Sequence, residues 1–246
     1  MTRAIILAAG RGSRMGDLTD NQPKCFAQLH GRRLLDWQLA ALRGAGIERL
    51  ALVRGYRSEC FDEPLTYFEN PRWQQSNMVR TLLAADTWLM AEECIVSYSD
   101  IFYSAATVAA LNRTEADLAI AYDPHWHTLW AQRFADPLAD AESFRLDASG
   151  CLATIGERCQ SVSEIEGQYM GLLKFTPAGW AQVRELLQQY DDAAVDRLDM
   201  TSLLRLLLQA GMRIAVSPVQ GPWGEVDAAT DLALYHRIVP LATIAP

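Results

Sequence analysis

The sequence predicts an α/β domain built on a doubly wound, mostly parallel sheet of the Rossmann-like type. An apolar run, Ala4–Ala9, has the length and composition of a buried parallel strand and passes directly into a glycine-rich segment. Further apolar runs alternate along the chain with segments of helical periodicity. At 246 residues, half of them hydrophobic, the chain suits one large domain and is short for two.

The later elements are predicted from the same two periodicities. A helix over 34–42 ends near Gly44 and is followed by a strand over 49–53, which completes a βαβ unit. Other strands are predicted at 65–68, 93–100, 118–122, 143–146, 151–155 and 213–216, with one more ending at 175. Other helices are predicted from 78 to about 89, from 178 to about 189, over 200–209 behind an Asp199 cap, and through 231–236.

Charge and cysteine content limit the partners. The net charge of −8 and the isoelectric point near 5.0 argue against nucleic-acid binding, because a phosphate backbone is met by a basic face. Five scattered cysteines without a C-x-x-C pair indicate reduced thiols. No apolar run reaches the roughly 20 residues that span a bilayer, so we expect a cytoplasmic protein without a membrane partner.

The glycine-rich segment Gly10–Gly16 is suited to hold phosphate. Glycines let backbone N–H groups approach an anion, while Arg11 and Arg14 add positive charge. Pro23 and Lys24 close the segment with an ammonium group on a stiffened backbone. A tight turn alone would explain neither the arginines nor the lysine, so the segment predicts an anion site.

Two other phosphate-binding loops fit this sequence less well. A Walker A loop needs Gly-Lys-Ser/Thr, whereas Gly16 is followed by Asp17 and Leu18. The dinucleotide fingerprint needs a glycine where Met15 stands, and it needs an acidic residue at the end of the second strand. The strand-like run here comes late and ends in Arg54. A nicotinamide enzyme is therefore the weaker interpretation.

The run Leu7–Met15, followed by Pro23 and Lys24, resembles the signature of nucleotidyltransferases that make nucleoside diphosphate sugars and related activated alcohols. Within that group the sequence is most similar to bacterial cytidylyltransferases that activate phosphocholine or phosphonates. The resemblance implies that Lys24 and Arg14 are catalytic. It also implies nucleotide contacts from Leu7, Ala8, Ala9, Gly10, Arg11, Gly12, Ser13, Ser76, Asn77 and Ser99, although Ser76 or Asn77 could simply cap a helix.

Two aspartates are candidate ligands of Mg²⁺. Asp100 ends an apolar strand, and the carboxyl edge of a parallel sheet is where such folds bind ligands. Alone, it could equally cap the next helix. The resemblance places a metal-binding aspartate after this strand and brings a second carboxylate from Glu225-Val226-Asp227. Asp227 is the predicted ligand, with helix capping as its alternative and Glu225 as the less favoured substitute.

An insertion at approximately 123–175 is predicted within the single domain 1–246 to bind the acceptor. Residues 123–144 are rich in aromatics and loop formers, which is typical of a lid. Trp126 and Trp130 could surround an ammonium group through cation–π attraction, although packing is the favoured interpretation for each alone. The resemblance further implies acceptor contacts from Glu166, Gln168 and Tyr169.

The resemblance implies a Mg²⁺-dependent transfer of CMP from CTP to a small phosphorylated or phosphonate alcohol, of the phosphocholine or 2-aminoethylphosphonate type, with release of pyrophosphate. A sugar 1-phosphate nucleotidyltransferase using another nucleoside triphosphate is the alternative within the class. Outside it stand a noncatalytic nucleotide-binding module and an NADP-binding oxidoreductase. The acceptor and the oligomeric state, including a homodimer, are left open.

Overall fold

Thirteen strands and ten helices make up the computed structural model, which describes residues 1–244. The strands are β1 (Arg3–Ala8), β2 (Gln28–Leu29), β3 (Arg32–Arg33), β4 (Leu50–Arg54), β5 (Thr66–Glu69), β6 (Cys94–Tyr98), β7 (Ile101–Tyr103), β8 (Leu118–Asp123), β9 (Glu142–Leu146), β10 (Leu152–Arg158), β11 (Gln168–Phe175), β12 (Ala215–Pro218) and β13 (Trp223–Glu225). The helices are α1 (Leu34–Gly44), α2 (Met78–Leu83), α3 (Asp86–Leu89), α4 (Ala105–Arg113), α5 (Trp126–Arg133), α6 (Pro177–Leu187), α7 (Asp192–Arg197), α8 (Met200–Gln209), α9 (Ala229–Ile238) and α10 (Leu241–Ile244).

The central sheet has seven strands in the order β12-β8-β11-β6-β1-β4-β5. Strand β1 lies between β4 and β6 and is parallel to both, and β5 and β12 are also parallel to their neighbours. Strand β11 alone runs antiparallel in this sheet, between β6 and β8. The predicted doubly wound, mostly parallel α/β fold is confirmed.

Burial explains why these segments form these elements. Every residue of β1 is buried, as expected for a central strand covered on both faces. In α8 the buried residues Met200, Leu203, Leu204 and Leu207 recur at helical spacing, and the predicted cap Asp199 accepts a hydrogen bond from the Ser202 N–H at 2.7 Å. Within the described part of the chain, no helix is long and apolar enough to cross a bilayer.

Tertiary contacts change two of the predicted elements. The single helix predicted from 78 to 89 is broken into α2 and α3. Asp86, at the start of α3, accepts a hydrogen bond from the Trp180 indole of α6 at 2.8 Å. The lid predicted as irregular contains the helix α5. Its tryptophans are spaced four residues apart, so both reach the buried face of that helix.

A short two-stranded ribbon was not predicted from the sequence, and it positions the residues of the site described below. Strands β7 and β13 pair antiparallel, with Ile101 opposite Glu225, although each has only three residues. The turn before β7 carries Asp100, and it is held by the buried side chain of Gln38 on α1. The Gln38 amide donates to the carbonyls of Tyr98 at 2.8 Å and Ile101 at 2.5 Å.

Replacing this glutamine should weaken the fold. In Gln38→Leu the Ile101 carbonyl loses its side-chain donor and the Tyr98 carbonyl keeps only the Ser97 hydroxyl, so we expect the free energy of unfolding to fall by about 1–3 kcal/mol. Urea denaturation measures it. The exposed Gln189→Leu change serves as control and should stay within about 0.5 kcal/mol of the parent. Equal losses in the two variants would show that the Gln38 hydrogen bonds contribute nothing.

Candidate active site

Lys24, Asp100 and Asp227 meet at one point although they lie far apart in the sequence. The Lys24 ammonium lies 2.8 Å from Asp100 Oδ2 and 2.8 Å from Asp227 Oδ1. Burial tends to lower the pKa of Lys24, but the two carboxylates outweigh burial and raise that pKa above its ordinary value. The ammonium is therefore positively charged at neutral pH.

Gly12 gives the Lys24 side chain its place. Lys24 opens a 3₁₀ turn behind Pro23, and its stem lies directly against Gly12. A Cβ at Gly12 would lie 2.6 Å from the Cδ of Lys24, and Gly12 has a φ of +67°, which other residues rarely adopt. A glycine is thus required at position 12 both by the positive φ and by the close contact with the Lys24 stem.

The ribbon of β7 and β13 brings the carboxylates together. Asp100 immediately precedes β7, Glu225 ends β13, and the Val226 N–H donates to the Asp100 carbonyl at 2.8 Å. Three carboxylates, those of Asp100, Glu225 and Asp227, thereby offer oxygen atoms that all lie within 4.8 Å of one another. Glu225, the less favoured ligand in the sequence, joins the two predicted aspartates.

This donor set fits a hard divalent cation such as Mg²⁺, which prefers carboxylate oxygens. Asp100 Oδ1 is buried and has no hydrogen-bond partner among the described residues, which leaves it available to a cation. Burial, followed by repulsion from Asp100 and Asp227, raises the pKa of the Glu225 carboxyl to about 8. A bound divalent cation would favour the ionised form of Glu225.

Arg133 is a second cation of the site, and it was not predicted from the sequence. Its side chain is fully buried, and it forms ion pairs with Asp231 at 3.0 Å, Glu225 at 3.5 Å and Asp227 at 3.6 Å. Asp231 in turn accepts hydrogen bonds from the backbone N–H groups of Asp227 and Ala228 at 2.8 and 2.9 Å. Arg133 and Asp231 therefore fix the segment that carries Asp227.

The predicted phosphate loop folds back over this cluster. Arg14 reaches Asp227 Oδ1 at 2.8 Å while its side chain stays 68% exposed, so it can turn toward a ligand. Residues 13–19 form 3₁₀ turns, in which the Thr19 hydroxyl donates to the carbonyls of Gly12 and Gly16. Arg11 lies farther out, paired with Asp20.

The other predicted nucleotide contacts fall in four places. Leu7, Ala8 and Ala9 are buried at the end of β1, Gly10 and Ser13 lie in the loop, and Ser99 is partly buried beside Asp100. Ser76 and Asn77 are engaged locally. Asn77 caps α2 by accepting from the Met78 N–H at 2.8 Å, and the Ser76 hydroxyl donates to the Arg72 carbonyl at 2.7 Å.

A cavity of about 270 Å³ adjoins the carboxylate cluster. Arg14, Glu225 and Asp227 line its end next to the phosphate loop. Its remaining walls combine aromatic rings with a second group of acidic residues: Tyr98, Trp130, Phe144, Tyr169, Asp140, Glu142 and Asp199. The cavity therefore joins the candidate metal ligands to a pocket with aromatic and acidic walls.

The structure brings three of the five predicted acceptor residues to this cavity, namely Trp130, Gln168 and Tyr169. It does not bring Trp126 or Glu166 there. Trp126 is buried in the main hydrophobic core and its indole donates to the Ile165 carbonyl at 3.3 Å, so it is a packing residue. Glu166 accepts from the Leu146 N–H at 2.6 Å and holds a loop.

Fold and site together define a nucleotidyltransferase: a lysine, a glycine-rich loop and a carboxylate cluster at the carboxyl edge of a parallel sheet. The chain belongs to the MobA-like NTP transferase domain family, whose model matches residues 4–158. This membership sets aside the oxidoreductase and noncatalytic alternatives.

Known proteins resemble nearly the whole chain. It is 34% identical to the CTP:phosphoglutamine cytidylyltransferase of Campylobacter jejuni, over 93% of this chain and 97% of that protein. It is 26% identical to the 2-aminoethylphosphonate cytidylyltransferase of Lancefieldella rimae, over 96% of this chain and 92% of that protein. The solved inositol-1-phosphate CTP transferase from T. maritima shares the fold, with a TM-score of 0.74, 19% identity and coverage of 94% and 91% of the two chains.

Gly12→Ala should impair nucleotidyl transfer by displacing Lys24. The added Cβ would clash with the lysine stem, so we expect at least about a tenfold loss in pyrophosphate release from a nucleoside triphosphate. Gly46→Ala is the matched control, because Gly46 also has a positive φ but has open space around it. Equal rates for the Gly12 and Gly46 variants would show that Gly12 does not position Lys24.

Proposed function

We propose that this protein is a Mg²⁺-dependent cytidylyltransferase that transfers CMP from CTP to a small phosphorylated or phosphonate compound and releases pyrophosphate. The observation that carries this proposal is the Lys24 ammonium held at 2.8 Å from both Asp100 and Asp227, beside the glycine-rich loop. The relatives named for CTP and for phosphorylated or phosphonate acceptors support the choice of nucleotide and of acceptor.

The reaction joins two anions, so the residues of the site serve mainly to position them and to offset charge. The backbone N–H groups of the loop and Arg14 hold the β- and γ-phosphates. Asp100, Glu225 and Asp227 would hold Mg²⁺, which supplies charge neutralisation at the phosphates when bound. Lys24 donates to the α-phosphoryl oxygen, where negative charge develops.

The acceptor itself provides the nucleophile. An oxygen of its phosphate or phosphonate forms a bond to the α-phosphorus, and the bond from that phosphorus to the β-phosphate oxygen breaks, which releases pyrophosphate with the bonding electron pair. The attacking oxygen is ionised before the reaction. No protein side chain needs to remove a proton from it or to form a covalent intermediate.

The cavity favours an acceptor that carries a positively charged nitrogen. Asp140, Glu142 and Asp199 line its walls together with Trp130 and Phe144, and carboxylates and aromatic faces both attract cations. The Trp130 indole donates to Asp140 Oδ2 at 3.0 Å and thereby orients that carboxylate. An uncharged sugar ring would add no positive charge to balance these carboxylates, which disfavours the sugar 1-phosphate alternative.

A pyrophosphate-release screen tests the function as a whole. Each of the four nucleoside triphosphates is combined, in the presence of Mg²⁺, with phosphocholine, 2-aminoethylphosphonate, other phosphonates and sugar 1-phosphates. We expect turnover with CTP and an acceptor bearing a cationic nitrogen. Turnover only with a sugar 1-phosphate and another nucleotide would overturn the proposal.

Lys24→Ala removes the charge contact assigned to the transition state. We expect the barrier to rise by about 3 kcal/mol, which corresponds to about a hundredfold lower rate of pyrophosphate release.

Asp227→Asn should instead raise the Mg²⁺ concentration needed for half-maximal rate, because a ligand oxygen loses its charge. An unchanged rate for Lys24→Ala, or normal Mg²⁺ dependence for Asp227→Asn, would contradict the assigned role.

Two substitutions separate recognition of the cationic nitrogen from the rest of binding. Glu142→Gln and Asp199→Asn each remove one charge, and asparagine can still cap α8. We expect the KM for 2-aminoethylphosphonate to rise about tenfold in the double variant, corresponding to about 1.4 kcal/mol. The KM for 2-hydroxyethylphosphonate, which lacks the amine, should stay the same.

The exposed Glu48→Gln change is the control for a general effect of charge, and both KM values should match those of the parent protein. Equal increases for the amine and the alcohol in the double variant would show that the acidic walls do not recognise the nitrogen.

A further inference from the structure

We propose that Lys24 and the divalent cation compete for the carboxylates of Asp100 and Asp227, so that Lys24 leaves them for the phosphate when the metal binds there. This inference rests on the proposed function and adds an order to it: metal and nucleotide enter together. Lys24 thus acts as an interlock between the carboxylates and the phosphates.

The contacts of the ammonium carry the argument. Its nitrogen lies 2.8 Å from Asp100 Oδ2 and 2.8 Å from Asp227 Oδ1, so it bridges the two predicted metal ligands. Mg²⁺ binds oxygen ligands at about 2.1 Å and holds them in near-octahedral geometry. Both cations on the same oxygens would place charges of +1 and +2 in contact, with strong repulsion in a buried site.

The Lys24 stem lies within reach of both destinations. It rests on Gly12, where a Cβ would lie 2.6 Å from Cδ and 2.9 Å from Cγ of the lysine. Gly12 also belongs to the loop that is proposed to hold the triphosphate. A nucleotide on this loop therefore places its phosphates next to the lysine stem, and rotation of the terminal bonds carries the ammonium from the carboxylates to the α-phosphoryl oxygen.

The neighbouring cations differ from Lys24 in a way that supports this role. Arg133 is fully buried and also paired with Asp231, so it stays with the carboxylates as a fixed counter-charge. Arg14 contacts Asp227 but, within residues 1–244, forms no ion pair with Asp100, and its side chain is mostly exposed. Departure of Lys24 uncovers Asp100 Oδ2 and leaves Asp227 Oδ1 in contact only with the mostly exposed Arg14 side chain, which can turn away. It also increases the negative charge that attracts the metal.

Metal binding without nucleotide tests the interlock. Free Mn²⁺ is counted by electron paramagnetic resonance in titrations of the parent protein, Lys24→Met and Arg14→Met. Each variant loses one positive charge beside Asp227, but only the first removes the bridge. We expect Lys24→Met to bind Mn²⁺ at least about tenfold more tightly than the parent, and Arg14→Met less than about threefold more tightly.

A second variant locates the gain in affinity. Asp100→Asn added to Lys24→Met should return the Mn²⁺ affinity to that of the parent, because one of the two uncovered ligands is then lost. Lys24→Gln replaces Lys24→Met where the latter is poorly folded by circular dichroism. Equal Mn²⁺ affinities in Lys24→Met and Arg14→Met, or a gain that survives Asp100→Asn, would overturn the interlock.

These titrations contain no CTP and measure no turnover, so they fail independently of the proposed function. Absence of cytidylyl transfer by the parent protein would refute the proposed function and leave the Mn²⁺ comparison interpretable. Normal transfer together with equal Mn²⁺ affinities would refute only the competition between Lys24 and the metal.

Discussion

The structure depends on a balance of charge around three converging carboxylates. Asp100, Glu225 and Asp227 would repel one another strongly if they were brought together alone, because desolvation and like charge both disfavour ionisation. Lys24 and Arg133 are buried cations that contact these carboxylates and offset the repulsion among them in the folded protein. An acidic protein thus holds its positive charge where phosphate chemistry needs it.

The cluster also explains why the chain needs its short connecting elements. A parallel sheet presents its loops along one edge, yet Asp100 and Asp227 come from segments separated by more than half of the chain. The three-residue pairing of β7 with β13 fixes the segment that carries Asp100 next to the segment that carries Asp227, and the Gln38 amide holds the turn between β6 and β7. Rigid backbone therefore supports every ligand of the candidate metal site.

Reasoning from the sequence found the features that are contained within one short stretch of the chain. The buried strand β1, the glycine loop and the aspartate after β6 each lie within one short segment, so pattern and position made Lys24 and Asp100 candidates, and the family resemblance supplied their roles. Arg133 could not be found in this way, since its meaning depends on α5 packing against α9 and β13. Trp126 and Trp130 looked equivalent in sequence. The tertiary fold buries the first under Ile165 and places only the second at the cavity.

Helix α5 links the two halves of the proposed reaction. Trp130 lines the cavity beside the carboxylates, and three residues later Arg133 pairs with Glu225 and Asp227, with its guanidinium 5.3 Å from the Trp130 ring centroid. Residues three apart lie on the same face of a helix, so α5 holds both side chains at the site. One helix of the insertion therefore contributes an aromatic wall of the cavity and a counter-charge of the carboxylate cluster.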